Sequence, residues 1–374
     1  MAGEAGKAVE ALKLPIESIY SRSAKSIIIM KVMSLVSALL GLFSCSDAYT
    51  DLDSDAFQQI VQEGSIALVD VRTSEEYAAG HIPEASNCDW YSEDFMSMVE
   101  AAYPKETPLA IYCRSGKRSA AAAAKLSKAG YTVYNLKGGY HAWTEAGKPV
   151  TKYEAETFFT ESGVPVRITL VKHGSLAISY KGKQIQVDPV CGLGKPTDYA
   201  VEFPKADVIL ITHEHGDHLD KDAVAALTED GKTTLVTNSN CADILGWGTV
   251  MANGDSMSIL GDIVLDAVPA YNYTDGHTQF HPKGRDNGFV LTVDGLRIYI
   301  AGDTEDIPEM SELKDIDVAF LPVNQPYTMT VGQCVNAARA ISPKVLIPYH
   351  FSQTDISGLP VLLPEMKVLL RQMQ

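Results

Sequence analysis

The sequence predicts a two-domain α/β protein. The chain has 374 residues, more than the usual size of one domain. Apolar strand-like runs alternate with helical signals from Ala67 to Asn135, a pattern that builds a parallel sheet with helices on both faces. Past a linker at 149–165 the pattern changes to short strands, several of which end in histidine or aspartate.

Composition narrows the function. Hydrophobic residues make up 46% and charged residues 21%, the mixture of a folded globular protein. With 31 Lys+Arg against 47 Asp+Glu the net charge is −16, which repels phosphate backbones and excludes wholesale nucleic-acid binding. The absence of a 20-residue apolar span excludes a polytopic membrane protein. Six scattered cysteines without a C-x-x-C pair argue against a disulfide framework or zinc ribbon. Cys88, Cys191, Cys241 and Cys334 lack motif context and are expected to be small core residues.

Residues 1–45 read as an address. Val32–Phe43 is an apolar run preceded by Lys31 and followed by Ser44-Cys45, too short to span a bilayer but suited to a signal peptide. Leu42-Phe43-Ser44-Cys45 resembles a bacterial lipoprotein box, with Met30-Lys31 as a compact start and residues 1–29 upstream of it. The expectation is an exported lipoprotein, periplasmic or on the cell envelope. Its only membrane contact would be a lipid on Cys45.

The first domain, 46–152, begins with the strand Ala67–Val71, followed by a helix opened by Thr73-Ser74-Glu75-Glu76. Pro108–Tyr112 is a second buried strand, running into Cys113-Arg114-Ser115-Gly116-Lys117-Arg118-Ser119 and an alanine-rich helix from Ala120 to about Ala129. Tyr131–Asn135 is the third strand. A thiol at a strand's carboxyl end, opening a helix, faces free N–H groups and the positive end of the helix dipole. With Arg114, Lys117 and Arg118 nearby, Cys113 is expected to be a low-pKa nucleophile.

This segment resembles the rhodanese family. The residues that carry the likeness are Asp70-Val71-Arg72, Glu76-Tyr77, Gly80-His81-Ile82-Pro83-Glu84-Ala85, Cys113–Arg118 and Gly138-Gly139-Tyr140-His141-Ala142-Trp143. The resemblance implies sulfur transfer through a Cys113 persulfide, with Arg114, Ser115, Gly116, Lys117 and Arg118 forming the anion-binding loop. Cysteine phosphatases are the rival, but they place their arginine one residue later than Arg118. Asp70, Arg72, His81 and His141 are expected to be structural.

The second domain, 166–374, opens with strands at Ile168–Val171, Leu176–Tyr180 and Gln184–Val187. Val208–Thr212 then leads into His213-Glu214-His215-Gly216-Asp217-His218. Three imidazoles and a carboxylate just past a strand end suit zinc, iron or manganese rather than calcium. The spacing lets His213 and His215 face one ion while Asp217 and His218 face another. Asp303, after Leu296–Ala301, and His350, after Val345–Tyr349, repeat the strand-end placement.

Together these residues resemble the metallo-β-lactamase superfamily, nearest the ascorbate-phosphate-lactonase-like hydrolases. The supporting segments are His173-Gly174-Ser175, Tyr299–Thr304, Leu321-Pro322-Val323 and Ile347–His350. The likeness implies an αββα sandwich with metals at one sheet edge. It also implies Asp303 as bridging ligand, His350 as a ligand of the second metal, and Asp188 orienting a ligating histidine. Asn272 stands where the family has another histidine. Either His277 or His281 can supply the missing imidazole, and His281 is favoured because its turn, His281-Pro282-Lys283-Gly284, precedes the strand Gly288–Val293.

The expected whole is a two-site enzyme acting on a small-molecule substrate and a sulfur donor or acceptor. One or two divalent ions, zinc with manganese or iron as alternatives, would assist hydrolysis, and Asp217 would be partly ligand and partly proton acceptor. Two rival readings are an iron persulfide dioxygenase fused to a sulfurtransferase, and a hydrolase with a non-catalytic rhodanese sensing module.

Overall fold

The computed structural model describes residues 49–373, so the expected signal peptide and Cys45 lie outside the described residues. The first domain is a parallel sheet of β1 (Thr50–Leu52), β2 (Ala67–Asp70), β3 (Ser86–Asn87), β4 (Leu109–Tyr112) and β5 (Val133–Leu136), in the order β1-β5-β4-β2-β3. The central strands β2 and β4 are buried along their whole length, as continuous apolar runs in a two-faced parallel sheet must be. Helices Phe95–Ala102 and Lys117–Lys128 cover one face through Phe95, Val99, Ala122, Ala123 and Leu126. Phe57, Tyr77 and Trp143 cover the other. Each fully buried side chain of this size contributes about 1.5–3 kcal/mol. A capping box between Thr73 and Glu76 starts the short helix Ser74–Ala78.

The linker expectation needs correction. Residues 155–159 form a strand, β6 (Ala155–Phe159), which pairs antiparallel with β7 (Pro165–Lys172) and makes the edge of the next sheet. The apolar pair Phe158-Phe159 pairs with Val166 and Pro165 in the ladder, so this segment is sheet rather than tether.

From β7 the sheet continues through β8 (Ser175–Tyr180), β9 (Lys183–Val187), β10 (Val208–Leu210), β11 (Thr234–Thr237) and β12 (Thr249–Val250) in sequential order. A second seven-stranded sheet contains β13 (Ser256–Ile259), β14 (Ile263–Ala270), β15 (Asp286–Val293), β16 (Leu296–Ile300), β17 (Val318–Pro322), β18 (Val345–Tyr349) and β19 (Lys367–Val368). Val166, Ile168, Ile178 and Ile185 of the first sheet pack with Leu265, Phe289, Leu291 and Ile298 of the second in one core. The outer faces carry helices, with Ala223, Val224 and Cys241 on one side and Cys334, Ala338 and Ile341 on the other. Layers of helix, sheet, sheet and helix therefore form the expected αββα sandwich. Strands β9 and β10 are parallel neighbours, as are β16, β17 and β18. Their carboxyl ends are where the metal-type side chains emerge.

Both domains belong to one compact unit, and a buried cation joins them. Arg167 on β7 is 2% exposed. Its guanidinium reaches Glu84 Oε2 at 3.2 Å and donates to the carbonyl of Ile66, both in the first domain. His81 joins the first domain to the segment entering β6, its ring nitrogens lying 2.9 Å from the Tyr77 carbonyl and 2.7 Å from that of Tyr153. Truncating Arg167 strands a buried carbonyl and removes the cationic partner of Glu84. Arg167→Ala is expected to lose about 3 kcal/mol of stability, read as a lower urea midpoint.

Candidate metal centre and cysteine loop

All the metal-type side chains rise from one edge of the sandwich. His213, His215, Asp217 and His218 follow β10, Asp303 follows β16, His350 follows β18, and His281 comes from the loop between β14 and β15. They fall into overlapping sets. His213, His215 and His281 form one, His173, Asp217, His218 and His350 a second, and His213, His218 and Asp303 a third. Asp303 stands among four imidazoles. His218 Nε2 lies 3.2 Å from Oδ1, while His350 Nε2, His281 Nε2 and His213 Nε2 lie 3.3, 3.4 and 4.0 Å from Oδ2.

Hydrogen bonds outside the cluster set which ring nitrogen faces inward. His218 Nδ1 lies 2.7 Å from Asp188 Oδ2, a carboxylate that also accepts from the Thr212 amide and hydroxyl, each at 2.7 Å. His213 Nδ1 lies 3.0 Å from Thr212 Oγ1. His281 Nδ1 lies 2.6 Å from Asn272 Oδ1, and Asn272 Nδ2 donates to the Tyr327 carbonyl at 2.8 Å, which fixes the amide's orientation. Each of these three imidazoles gives its Nδ1 proton away and keeps an Nε2 lone pair for the centre. Asn272 is therefore the residue that orients His281.

The companion histidine is held elsewhere. Glu305, fully buried, accepts from the amides of Tyr273 and Thr274 at 2.8 Å and lies 3.3 Å from His277 Nδ1. That carboxylate anchors the loop and keeps His277 out of the cluster.

A cation suits this arrangement. His218 Nε2, Asp303 Oδ1 and both ring nitrogens of His350 are buried without a hydrogen-bond partner, which native interiors avoid. His213 Nε2 and His281 Nε2 both face His215 Nδ1, at 3.1 and 3.2 Å. Neutral imidazoles cannot all donate to one another, but a shared ion accepts every lone pair. Burial lowers the His213 pKa well below the ordinary range and brings His281 to about 4. Burial also disfavours the charged form of His218, yet Asp303 and Asp188 flank it and raise its pKa. Burial would raise Asp303, but His350 and His218 hold it well below the carboxylate range.

In the first domain Cys113 follows β4, with its Sγ 3.4 Å from the Ser119 hydroxyl that donates to it. Gly138-Gly139 presses the loop from outside. The Tyr140 amide donates to the Cys113 carbonyl at 2.8 Å, and a Cβ on Gly139 would lie 2.3 Å from that oxygen. Burial raises the Cys113 pKa, but the Ser119 hydroxyl and the amides of Ser119, Ser115 and Gly116 outweigh it and leave the thiol below its ordinary value. The amides and the hydroxyl are the larger part of the stabilisation, and the Arg118 charge also favours the thiolate.

The expected basic loop is largely committed. Arg118 forms a forked pair with Glu76 at 2.7 and 2.8 Å, and Arg114 Nε donates to His141 Nε2 at 3.1 Å. Ser115 and Lys117 are exposed and Gly116 is buried. The helix begins at Lys117, three residues before the expected Ala120, because left-handed Gly116 caps it. Asp70 and Arg72 form a buried pair at 2.6 Å. Cys88, Cys241 and Cys334 are core residues, but Cys191 is only partly buried, its amide donating to Asp220 in an outer loop.

Sequence reasoning placed His173 in a supporting segment and missed its side chain. The structure puts His173 Nε2 3.2 Å from Asp217 Oδ2. The signal was its position at the end of an apolar strand, the same placement that marked Asp303 and His350.

Comparison with known proteins agrees with this geometry. The model of a β-lactamase superfamily domain matches residues 167–350, and that of a rhodanese-like domain matches 53–146. A UPF0173 metal-dependent hydrolase of Geobacillus sp. is 33% identical over 198 residues, covering 50% of this chain and 86% of that protein. One from Archaeoglobus fulgidus is 31% identical over 196 residues, covering 50% and 84%. The crystal structure of a proposed metal-dependent hydrolase from Parabacteroides distasonis shares 52% identity at a TM-score of 0.57, covering 59% of this chain and 100% of that one.

Two outcomes check the site. His281→Ala is expected to lower bound metal, measured by mass spectrometry of the purified protein, while His277→Ala leaves it unchanged. A lowered pKa populates the Cys113 thiolate at lower pH. The pH profile of Cys113 alkylation should therefore have its midpoint below that of an ordinary cysteine, moving up in Ser119→Ala.

Proposed function

Because the chain belongs to the UPF0173 metal-dependent hydrolases of the β-lactamase superfamily and carries a rhodanese-like domain ahead of that fold, we propose that it is a two-site enzyme. The carboxyl-terminal site hydrolyses a small molecule with zinc, and the amino-terminal site moves sulfane sulfur through a Cys113 persulfide. The observation that carries the first activity is the convergence of two donor sets on Asp303. Two sets fit a pair of ions, and so favour hydrolysis over the single iron of a dioxygenase. Imidazole and carboxylate donors without thiolate suit zinc.

A bound divalent ion supplies Lewis acidity and lowers the pKa of water towards about 7. The protein supplies the rest. Asp188, Thr212 and Asn272 hold the imidazoles in their ligating tautomers. His173, His215 and Asp217 are the partly exposed members of the cluster, so substrate approaches from their side. Asp217, kept ionised by His173 and His350 despite its burial, receives the proton released by the attacking water. Phe280 and the half-exposed Tyr327, ring centroids 5.0 Å apart, stand beside the Asn272–His281 pair and offer an apolar wall.

Sulfur transfer rests on the Cys113 loop. A persulfide's terminal sulfur is anionic, and the Ser115, Gly116 and Ser119 amides with the Ser119 hydroxyl form a cradle suited to an anion. A panel of lactones, phosphodiesters and persulfides, run beside a cyanide-to-thiocyanate assay, separates the two activities. Asp303→Ala is expected to remove hydrolysis at least a thousandfold, about 4 kcal/mol of barrier, while sparing thiocyanate formation. Cys113→Ser does the reverse. A wild-type protein with no thiocyanate formation from any donor leaves the first domain a sensing module. Oxygen uptake with a single bound iron would replace the hydrolase reading by the dioxygenase.

A further inference from the structure

His173 follows the last residue of β7 at the same sheet edge as the other cluster residues and is only partly exposed. Its Nε2 lies 3.2 Å from Asp217 Oδ2. The same oxygen stands 3.5 Å from His350 Nε2 and 4.0 Å from His218 Nε2. Donors about 2.0–2.1 Å from a common tetrahedral ion lie roughly 3.3–3.4 Å from one another. The His173–Asp217 and His350–Asp217 separations are of that size, and one donor atom from each of the four residues lies within 4.8 Å of every other.

The backbone is arranged for this placement. His173 has φ +46 and His350 φ +49, both in the left-handed region that is uncommon for residues other than glycine. The two are tied directly, since the His350 amide donates to the His173 carbonyl at 3.1 Å and their rings lie 3.6 Å apart. The next residue, Gly174, leaves room for the third imidazole, because a Cβ there would stand 2.7 Å from His218 Cε1. One turn thus brings His173 beside Asp217 and clears space for His218.

We propose that His173 is a metal ligand of the second centre, with Asp217, His218 and His350. The proposal rests on the two-ion reading above. Counting Asp303, five side chains surround this centre, against His213, His215, His281 and Asp303 at the first.

The test is titration of the metal-stripped full-length chain with Co(II), followed by visible absorption, and with Zn(II), followed by calorimetry. Wild type is expected to take two ions. His173→Ala and His173→Asn should each bind the second ion at least tenfold more weakly, with an altered cobalt spectrum for that ion and unchanged binding of the first. Unchanged second-ion binding in His173→Ala overturns the proposal. So does wild-type binding in His173→Asn together with loss in His173→Ala, because the amide keeps a hydrogen bond to Asp217 but replaces the imidazole. A wild-type chain that takes a single ion overturns the two-ion reading itself, and this is seen before any variant is made.

Discussion

The structure depends on keeping one carboxylate charged inside a protein. Asp303 is 2% exposed and has four imidazole nitrogens within 4.0 Å. An isolated buried carboxylate is expensive by several kcal/mol, so each of the three segments that supply those rings, the ends of β10 and β18 and the loop between β14 and β15, is tied to the others through it. The two sheets meet there: His213 and His218 come from the end of β10, Asp303 and His350 from the ends of β16 and β18. The inter-sheet core keeps the two layers in register, and the cluster draws their carboxyl edges together. A change in the core that shifts one sheet against the other is therefore felt as a change in donor separation.

Most of the polar residues around the cluster serve to choose a tautomer. Imidazole can ligate only through the nitrogen that lacks a proton, and Asp188, Thr212 and Asn272 each accept or relay the other proton. Asn272 shows how a departure from the family pattern is absorbed. Its amide is engaged by the His281 ring and the Tyr327 carbonyl. It orients His281, which arrives from nine residues further along the loop. Glu305 makes this possible by pinning the loop's start to the strand end that bears Asp303.

The legible part of this protein was what local sequence encodes. Parallel buried strands show as apolar runs, so β2, β4, β10, β16 and β18 could be placed, and with them the residues at their ends. The H-x-H-x-D-H run was visible because its chemistry is concentrated in six consecutive residues. Less legible was anything decided by distant neighbours. Ala155–Phe159 reads as linker because an edge strand exists only through its pairing with β7. Arg118 reads as an anion binder because nothing local shows that Glu76, on another helix, claims both its terminal nitrogens. His173 was passed over because its partners, Asp217 and His350, lie 44 and 177 residues away (217 − 173 and 350 − 173).

The two sites begin from the same topological feature and reach opposite charge preferences. Cys113 and His213 each follow the carboxyl end of a buried parallel strand. After Cys113 the chain turns at left-handed Gly116 and starts a helix at once, so amide N–H groups and the positive helix end point at the sulfur and favour an anion. After β10 the next helix is delayed until Lys221. The intervening loop presents side-chain lone pairs, which favour a cation. Moving the helix start by a few residues thus decides whether a strand end offers protons or electron pairs. One chain thus presents a cradle that favours an anion at one strand end and a cluster that favours a cation at another, within an overall charge of −16.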